Sequence, residues 1–109
     1  MVNQIVEDFP VLNLAGKVSI DELAVLISYS KTFFCLDSFS FHLANALQAK
    51  VVALFGPSCD MTWGVWENNN AAIVKSNISC RPCSLDGCGG SKVSECMKEI
   101  EFEHLNLHL

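Results

Sequence analysis

Basic residues are scarce in this sequence. Its 109 residues include seven Lys and Arg against 12 Asp and Glu, which gives a formal net charge of −5 at neutral pH. Binding to a nucleic-acid backbone depends on clustered cations that release its counterions. The composition therefore argues against nucleic acid as the main partner.

Long apolar runs are also absent. The longest, Leu23–Ile27 and Val51–Phe55, fall far short of the roughly 18 residues that a membrane-spanning helix needs. The first residues, MVNQIVEDFPVL, contain neither the basic stretch nor the apolar core of a secretory signal. We therefore expect a cytoplasmic protein, in which the six cysteines are reduced thiols or metal ligands.

The chain does have enough apolar residues for a packed core. Half of its residues are hydrophobic and 17% are charged, a composition typical of globular domains. Its length allows one domain, or half of a two-lobed protein.

Hydrophobic patterning predicts alternating strands and helices. Ser19 and Glu22 have the spacing of a capping box at the start of the first helix. We predict strands at 9–13, 32–36, 51–55 and 71–74, and helices at 19–29, 40–49 and 93–100. Short β-α-β connections give parallel strands, and ligands of such open α/β sheets bind beyond the carboxyl ends of the strands.

The turn after the strand at 32–36 is one candidate site. Asp37, Ser38 and His42 follow that strand and converge on the start of the next helix. Unsatisfied amides at a helix start favour phosphate, and His42 would add a donor or a cation. Alternatively, Ser38 is only an N-cap, Asp37 only forms the turn, and His42 is a surface residue.

A second candidate is the loop after the strand at 9–13. Gly16 permits a close backbone approach, Lys17 could meet a phosphate, and Val18 could pack on a planar base. A plain connection with a solvated lysine is the competing interpretation. Beyond this loop, Trp63 and Trp66 could stack on a sugar or a base, or cover a core edge or an interface.

The segment 76–100 is rich in cysteine. Cys80, Cys83, Cys88 and Cys96 have two, four and seven intervening residues. Four thiolates at such spacings could hold a structural zinc or iron ion. The alternative is a loop of reduced thiols.

Three motifs in order resemble glycosyltransferase family 9, the ADP-heptose:lipopolysaccharide heptosyltransferases. They are Asp37-Ser38, then His42-Leu43-Ala44-Asn45-Ala46-Leu47, then Phe55-Gly56-Pro57-Ser58. The resemblance covers about residues 9–100 and includes the cysteine-rich segment.

This resemblance implies a Rossmann-like parallel sheet, the C-terminal donor-binding lobe of a two-lobed GT-B glycosyltransferase. It implies that Ser38 and Phe39 contact the diphosphate of an ADP-heptose-like donor, that Asp37 contacts the heptose, and that His42 lies beside the phosphates. Lys17 and Val18 would border the adenine, and no metal is required. Phe39 stands where the family motif has glycine.

The resemblance also implies that the chain, 1–109, is a single partial lobe that acts in lipopolysaccharide core synthesis. The acceptor lobe with its catalytic base would be missing, so the chain alone would be inactive. Partners would be the missing lobe or a second copy held by the apolar C-terminus, and the chain could be peripheral to the inner membrane. The alternative is a non-catalytic α/β interaction domain with a cysteine-bound structural metal.

Overall fold

A computed structural model describes residues 2–108 of the chain. The elements in chain order are α1 (Val2–Asp8), α2 (Ile20–Tyr29), β1 (Phe33–Leu36), α3 (Phe39–Ala46), β2 (Val51–Phe55), α4 (Asp60–Trp63), β3 (Ala71–Lys75), a 3₁₀ turn (Cys88–Gly90), α5 (Glu95–Lys98) and α6 (Phe102–Asn106). None of the helices within these residues is long and apolar enough to span a bilayer.

The three strands form one parallel sheet in the order β1-β2-β3. Phe33 is in register with Val51, and Val51 with Ala71. The parallel α/β architecture predicted from the sequence is therefore confirmed. All three strands run the same way, so the loops that follow them emerge at one edge of the sheet.

Helices α2 and α3 cover one face of the sheet and create the core. Phe41 of α3 is fully buried and meets Phe55 of β2 edge-to-face, with ring centroids 5.5 Å apart. The completely buried cluster consists of Ile27, Phe41, Ala44, Val51, Ala53 and Phe55. This packing fixes the start of α3 against the carboxyl edge of the sheet.

Helix α2 begins where its sequence signal predicts. The Ser19 hydroxyl accepts from the Glu22 amide at 3.2 Å, and the Glu22 carboxylate accepts from the Ser19 amide at 2.7 Å. The capping box is therefore complete, and it fixes Ser19 as the residue at which the preceding loop ends, directly before α2 begins.

The strand predicted at 9–13 is wrong. Pro10 has no amide to donate, and the Val11 amide donates to the Phe9 carbonyl at 2.8 Å in a tight turn. Without a neighbouring strand in the described chain, this apolar stretch stays irregular. Three further helices, α1, α4 and α6, were not predicted, and α5 is shorter than the helix expected at 93–100.

Candidate functional site

Three loops meet at the carboxyl edge of the sheet. Strand β1 ends at Leu36, β2 at Phe55 and β3 at Lys75. Two residues, Asp37 and Ser38, separate the end of β1 from the start of α3, so both lie at this edge. The sequence placed its first candidate site at this position.

The first turn of α3 is not capped by a side chain. Ser38 is the N-cap residue in extended conformation, but its hydroxyl makes no capping hydrogen bond. It lies 2.8 Å from the Ser40 hydroxyl instead. The Phe41 amide donates to the Ser38 carbonyl at 3.1 Å, which leaves the amides of Phe39 and Ser40 for an external acceptor. Such a helix start attracts an anion.

Two exposed side chains flank these amides. Phe39 is 61% exposed, and His42 is exposed in the same helical turn. The buried ring of Phe41 lies 5.5 Å from the His42 ring and holds the turn against the core. His42 therefore places a potential hydrogen-bond donor on the same exposed turn of α3.

A pocket of about 400 Å³ opens beside Asp37. Its walls are Asp37, Pro57, Ser58, Trp63, Ser84, Leu85 and Asp86. No basic side chain lines it in the described part of the chain, whereas two carboxylates and one indole ring do. We call it the Asp37–Asp86 pocket.

Arg81 holds one wall of this pocket against the turn after β2. Its Nε donates to the Gly56 carbonyl at 2.8 Å, and its Nη2 donates to the Ser58 carbonyl at 3.2 Å. The same Nη2 lies 3.2 Å from Oδ1 of Asp60. The Arg81 side chain is only 6% exposed, so these bonds are shielded from water and fix the loop firmly.

Backbone hydrogen bonds complete this attachment. The Pro57 carbonyl accepts from the amides of Cys83 and Ser84, at 3.1 and 2.9 Å. Ser84 has a φ of +57°, the left-handed region that non-glycine residues seldom occupy. This turn of the backbone brings Ser84, Leu85 and Asp86 to the mouth of the pocket.

Asp60 connects Arg81 to β3. Its carboxylate also pairs with Lys75. The hydrogen bond from Lys75 is the main reason that the pKa of Asp60 lies below its ordinary value, with a smaller effect from Arg81. The carboxylate therefore stays charged and links the loops after β2 and β3.

Val18 lies at a different cavity, which the neighbouring Lys17 does not line. Gly16 has a φ of +70°, and the Lys17 amide donates to the Leu14 carbonyl at 3.0 Å in the same turn. Val18 lines an apolar groove of about 560 Å³ along α2, while Lys17 is exposed. The groove shares no lining residue with the Asp37–Asp86 pocket, so the structure does not join Val18 and Asp37 in one cavity.

All six cysteines are free thiols. Burial, together with the nearby charge of Asp37, raises the pKa of Cys35 to about 11. Cys35 is therefore a neutral residue that packs against the core.

The predicted metal ligands lie in the last third of the chain. Cys96 is buried, and burial followed by the neighbouring Cys88 thiol raises its pKa. The Cys88 sulfur accepts from the Glu95 amide at 3.5 Å, and Cys88, Cys80 and Cys83 are all exposed. Across residues 2–108, no three His, Cys, Asp or Glu side chains are grouped so that they could hold a metal ion. The four-cysteine site therefore stays a prediction.

The sequence analysis missed Ser84 and Asp86 as site residues. Neither belongs to a recognisable local motif, because Arg81 and Pro57 bring them to the pocket from more than 20 residues along the chain. Trp63, which the sequence did single out, lies on the pocket wall.

The parallel sheet, with helices packed on it and loops gathered at its carboxyl edge, defines the chain as an α/β protein of Rossmann-like type. Comparison with protein families gives a match to the family "Glycosyltransferase family 9 (heptosyltransferase)" over residues 1–93. The chain therefore belongs to glycosyltransferase family 9.

Individual relatives agree with this assignment. A lipooligosaccharide heptosyltransferase 2 of Campylobacter jejuni subsp. jejuni serotype O:2 is 33% identical over 97 residues, which cover 89% of this chain and 30% of the relative. A lipopolysaccharide heptosyltransferase 3 of Escherichia coli is 40% identical over 60 residues, 55% of this chain and 18% of the relative. The chain thus spans less than a third of the length of these relatives. No solved structure shows significant similarity to it.

Proposed function

We propose that this chain is the donor-binding part of a heptosyltransferase of lipopolysaccharide core synthesis, and that it binds an ADP-heptose-like nucleotide sugar. The observation that carries the proposal is the uncapped start of α3 at the carboxyl edge of the sheet. Membership of glycosyltransferase family 9 and the names of the relatives supply the substrate class.

The diphosphate would lie against the first turn of α3. The amides of Phe39 and Ser40 and the hydroxyl of Ser38 would donate to its oxygens. His42 would add a further donor on the exposed side of the same turn. Phe39 can serve here because the donor is its amide. Its exposed side chain leaves the diphosphate less room to reach these amides than a glycine would.

The other parts of the donor would extend from this point in two directions. Asp37, directly before the helix cap, would accept from hydroxyls of the heptose. Lys17 and Val18 would border the adenine, for which the apolar groove along α2 offers a flat hydrophobic surface.

The proposed reaction is a displacement at the anomeric carbon of the donor heptose. An acceptor hydroxyl oxygen forms the new bond, the bond from that carbon to the phosphate oxygen breaks, and ADP leaves with the electron pair. The helix amides and His42 stabilise the negative charge that grows on the departing diphosphate. The acceptor proton passes to a base for which this chain has no assigned residue, so we expect the chain alone to transfer no heptose.

Titration with ADP, followed by amide NMR, tests the proposal. We expect the largest shifts at Ser38–His42, with further shifts at Lys17 and Val18 from the adenine. Adenosine, which lacks the diphosphate, should leave Ser38–His42 unchanged. No response at millimolar ADP would overturn the proposal and favour a non-catalytic interaction domain.

His42→Ala sharpens this test. The imidazole is exposed, so its loss should weaken ADP binding about threefold to tenfold without changing the fold. His108→Ala is the matched control, because His108 lies in pockets along β3 rather than at α3. Equal ADP affinity in the wild type and in His42→Ala would remove His42 from the site.

The remaining partners follow from the same proposal. The acceptor would be a lipopolysaccharide core sugar held by another part of the enzyme. Helix α6 exposes Phe102, and Leu107 is exposed just beyond it, so this segment would pack on that part or on a second copy. We propose a cytoplasmic location with contact to the inner membrane surface, where such acceptors are anchored.

A further inference from the structure

The Asp37–Asp86 pocket has a chemistry that differs from that of the helix start beside it. The start of α3 offers free amides, whereas the pocket offers two carboxylates, two hydroxyls and an indole ring. The two carboxylates would repel the negative charge of a phosphate, so the pocket disfavours the diphosphate. A ligand with many hydroxyl donors fits it better.

Trp63 supplies a flat apolar wall. It ends α4, where its amide donates to the Cys59 carbonyl at 2.9 Å, and its side chain is 57% exposed at the pocket. An exposed indole on a rigid turn can stack on the C–H face of a sugar ring or on a base. The number of hydrogen-bond donors that each ligand offers to Asp37 and Asp86 distinguishes the sugar from the base. Adenine offers one amino group to two carboxylates, whereas a heptose offers several hydroxyl donors.

Position favours the sugar that is bonded to the diphosphate. Asp37 lines the pocket and is adjacent in sequence to Ser38, the N-cap of α3. A sugar attached to a phosphate at that helix start would therefore lie next to the pocket that Asp37 lines. Arg81 and Pro57 hold the opposite wall in place before any ligand arrives, which lowers the entropy cost of binding.

We propose that the Asp37–Asp86 pocket binds the sugar ring of the nucleotide sugar, and that Trp63 and Asp86 are positioning residues for it. Trp63 stacks on the ring, and Asp86 accepts from its hydroxyls opposite Asp37. This inference rests on the proposed donor function; it gives Trp63 one of the two roles that its sequence left open and adds Asp86, which no family motif or local pattern assigns. An acceptor sugar has the same chemistry and is the alternative source of the ring.

The test compares the affinities of ADP and of ADP-heptose for each variant. Trp63→Ala should lower the affinity for ADP-heptose about fivefold, and Asp86→Asn about tenfold, while the affinity for ADP stays unchanged in both. Trp66→Ala is the matched control, since Trp66 is 76% exposed and does not line the pocket. Unchanged affinity for ADP also shows that each variant has folded.

The possible outcomes separate the two proposals. If the wild type binds ADP and both variants keep the full preference for ADP-heptose, the sugar pocket is overturned and the donor function stands. If the wild type binds neither ligand, the donor function fails, and the pocket inference that rests on it fails with it.

A fluorescence experiment identifies the source of the sugar. Trp63 and Trp66 are the two tryptophans of the chain, so Trp66→Phe leaves Trp63 as the reporter. Quenching by ADP-heptose but not by free heptose or ADP supports the donor sugar. Quenching by a free methyl heptoside, with none by ADP-heptose, would overturn the proposal in favour of the acceptor sugar.

Discussion

The Nε of Arg81 donates to the carbonyl of Gly56 at 2.8 Å, across 25 positions of the sequence. This bond joins the turn that leaves the central strand to the loop that carries Ser84 and Asp86. Arg81 thus holds the second wall of the Asp37–Asp86 pocket together with the backbone hydrogen bonds to Pro57.

Replacement of Arg81 by Met should open this wall. The apolar stem is retained, but three hydrogen bonds to Gly56, Ser58 and Asp60 are lost from a side chain that is nearly inaccessible. We expect the free energy of unfolding, measured with urea, to fall by about 3 kcal/mol. Hydrogen exchange should rise in residues 81–87. Arg81→Lys should be intermediate, because it keeps the charge but not the planar fork. Wild-type stability in Arg81→Met would contradict this account.

Asp60 should make the stability depend on pH in the acid range. Its pKa is lowered in the folded chain, chiefly by Lys75, so the unfolded chain takes up the proton first as the pH falls. The carboxylate therefore stabilises the fold above the ordinary carboxyl pKa of about 4, and this contribution is lost as the pH falls through the lower folded value. Asp60→Asn should be less stable at pH 7 by about 2 kcal/mol and should show a flatter acid limb in urea unfolding.

Glu95→Gln is the control for Asp60→Asn. Glu95 pairs with Lys98 at 3.3 Å, but both side chains are more than half exposed. Such surface pairs contribute little to stability. An acid limb that flattens equally in both variants would show that the effect is not specific to Asp60.

Gly87 and Gly89 offer a matched pair for the loop behind the pocket. Both have positive φ values, +87° and +59°, but a Cβ on Gly87 would lie 2.3 Å from the Lys92 amide nitrogen, while one on Gly89 would meet nothing within 4 Å. Gly89→Ala should cost about 1 kcal/mol from backbone strain alone. Gly87→Ala should cost clearly more and should displace the adjacent Asp86, as seen by thermal unfolding and by amide shifts of residues 84–88. Equal costs would mean that the close backbone approach at Gly87 is not maintained in solution.

Ser19 and Ser38 precede two helices but differ in what their hydroxyls do. Ser19 completes a capping box, whereas Ser38 makes no capping bond. Ser19→Ala should therefore lower the free energy of unfolding by about 1 kcal/mol, and Ser38→Ala should leave it nearly unchanged. Affinity for ADP should respond in the opposite order, with weaker binding only in Ser38→Ala. A stability loss in Ser38→Ala as large as in Ser19→Ala would show that Ser38 acts as an ordinary cap.

The four cysteines at 80, 83, 88 and 96 need a direct measurement of metal content. Within residues 2–108 no three suitable ligands are grouped for an ion, so we expect less than one tightly held zinc per chain after dialysis. Elemental analysis of the purified protein checks this. One zinc per chain that disappears in Cys83→Ser would show instead that the segment closes into the site that the spacing predicts.

The strands and the helix starts of the central part were predictable because their signals are local. Ser19 and Glu22 specify a cap within one turn, and β1 and β2 are continuous apolar runs, of which β2 is mostly buried and β1 is half-exposed. The stretch at 9–13 has similar residues but failed to form a strand, because a strand also needs a partner for its backbone groups and Pro10 removes one donor. Strand formation thus depends on neighbours that a local pattern does not reveal.

The candidate site was predictable to a smaller extent. Asp37, Ser38 and His42 could be placed together because they share one strand-to-helix turn. Ser84 and Asp86 could not, because long-range hydrogen bonds of Arg81 and Pro57 carry them to the pocket. Periodicity contains no information about such contacts.

Strand β1 is an edge strand of the described sheet, and its alternate side chains Phe34 and Leu36 are 42% and 55% exposed. An edge strand of this kind presents unpaired peptide amides and carbonyls at the spacing of a further strand, next to exposed apolar side chains. At high protein concentration, separate copies of the chain would therefore tend to pair edge to edge and form insoluble aggregates. Low concentration would protect the material better than low temperature, since hydrophobic association weakens only modestly in the cold.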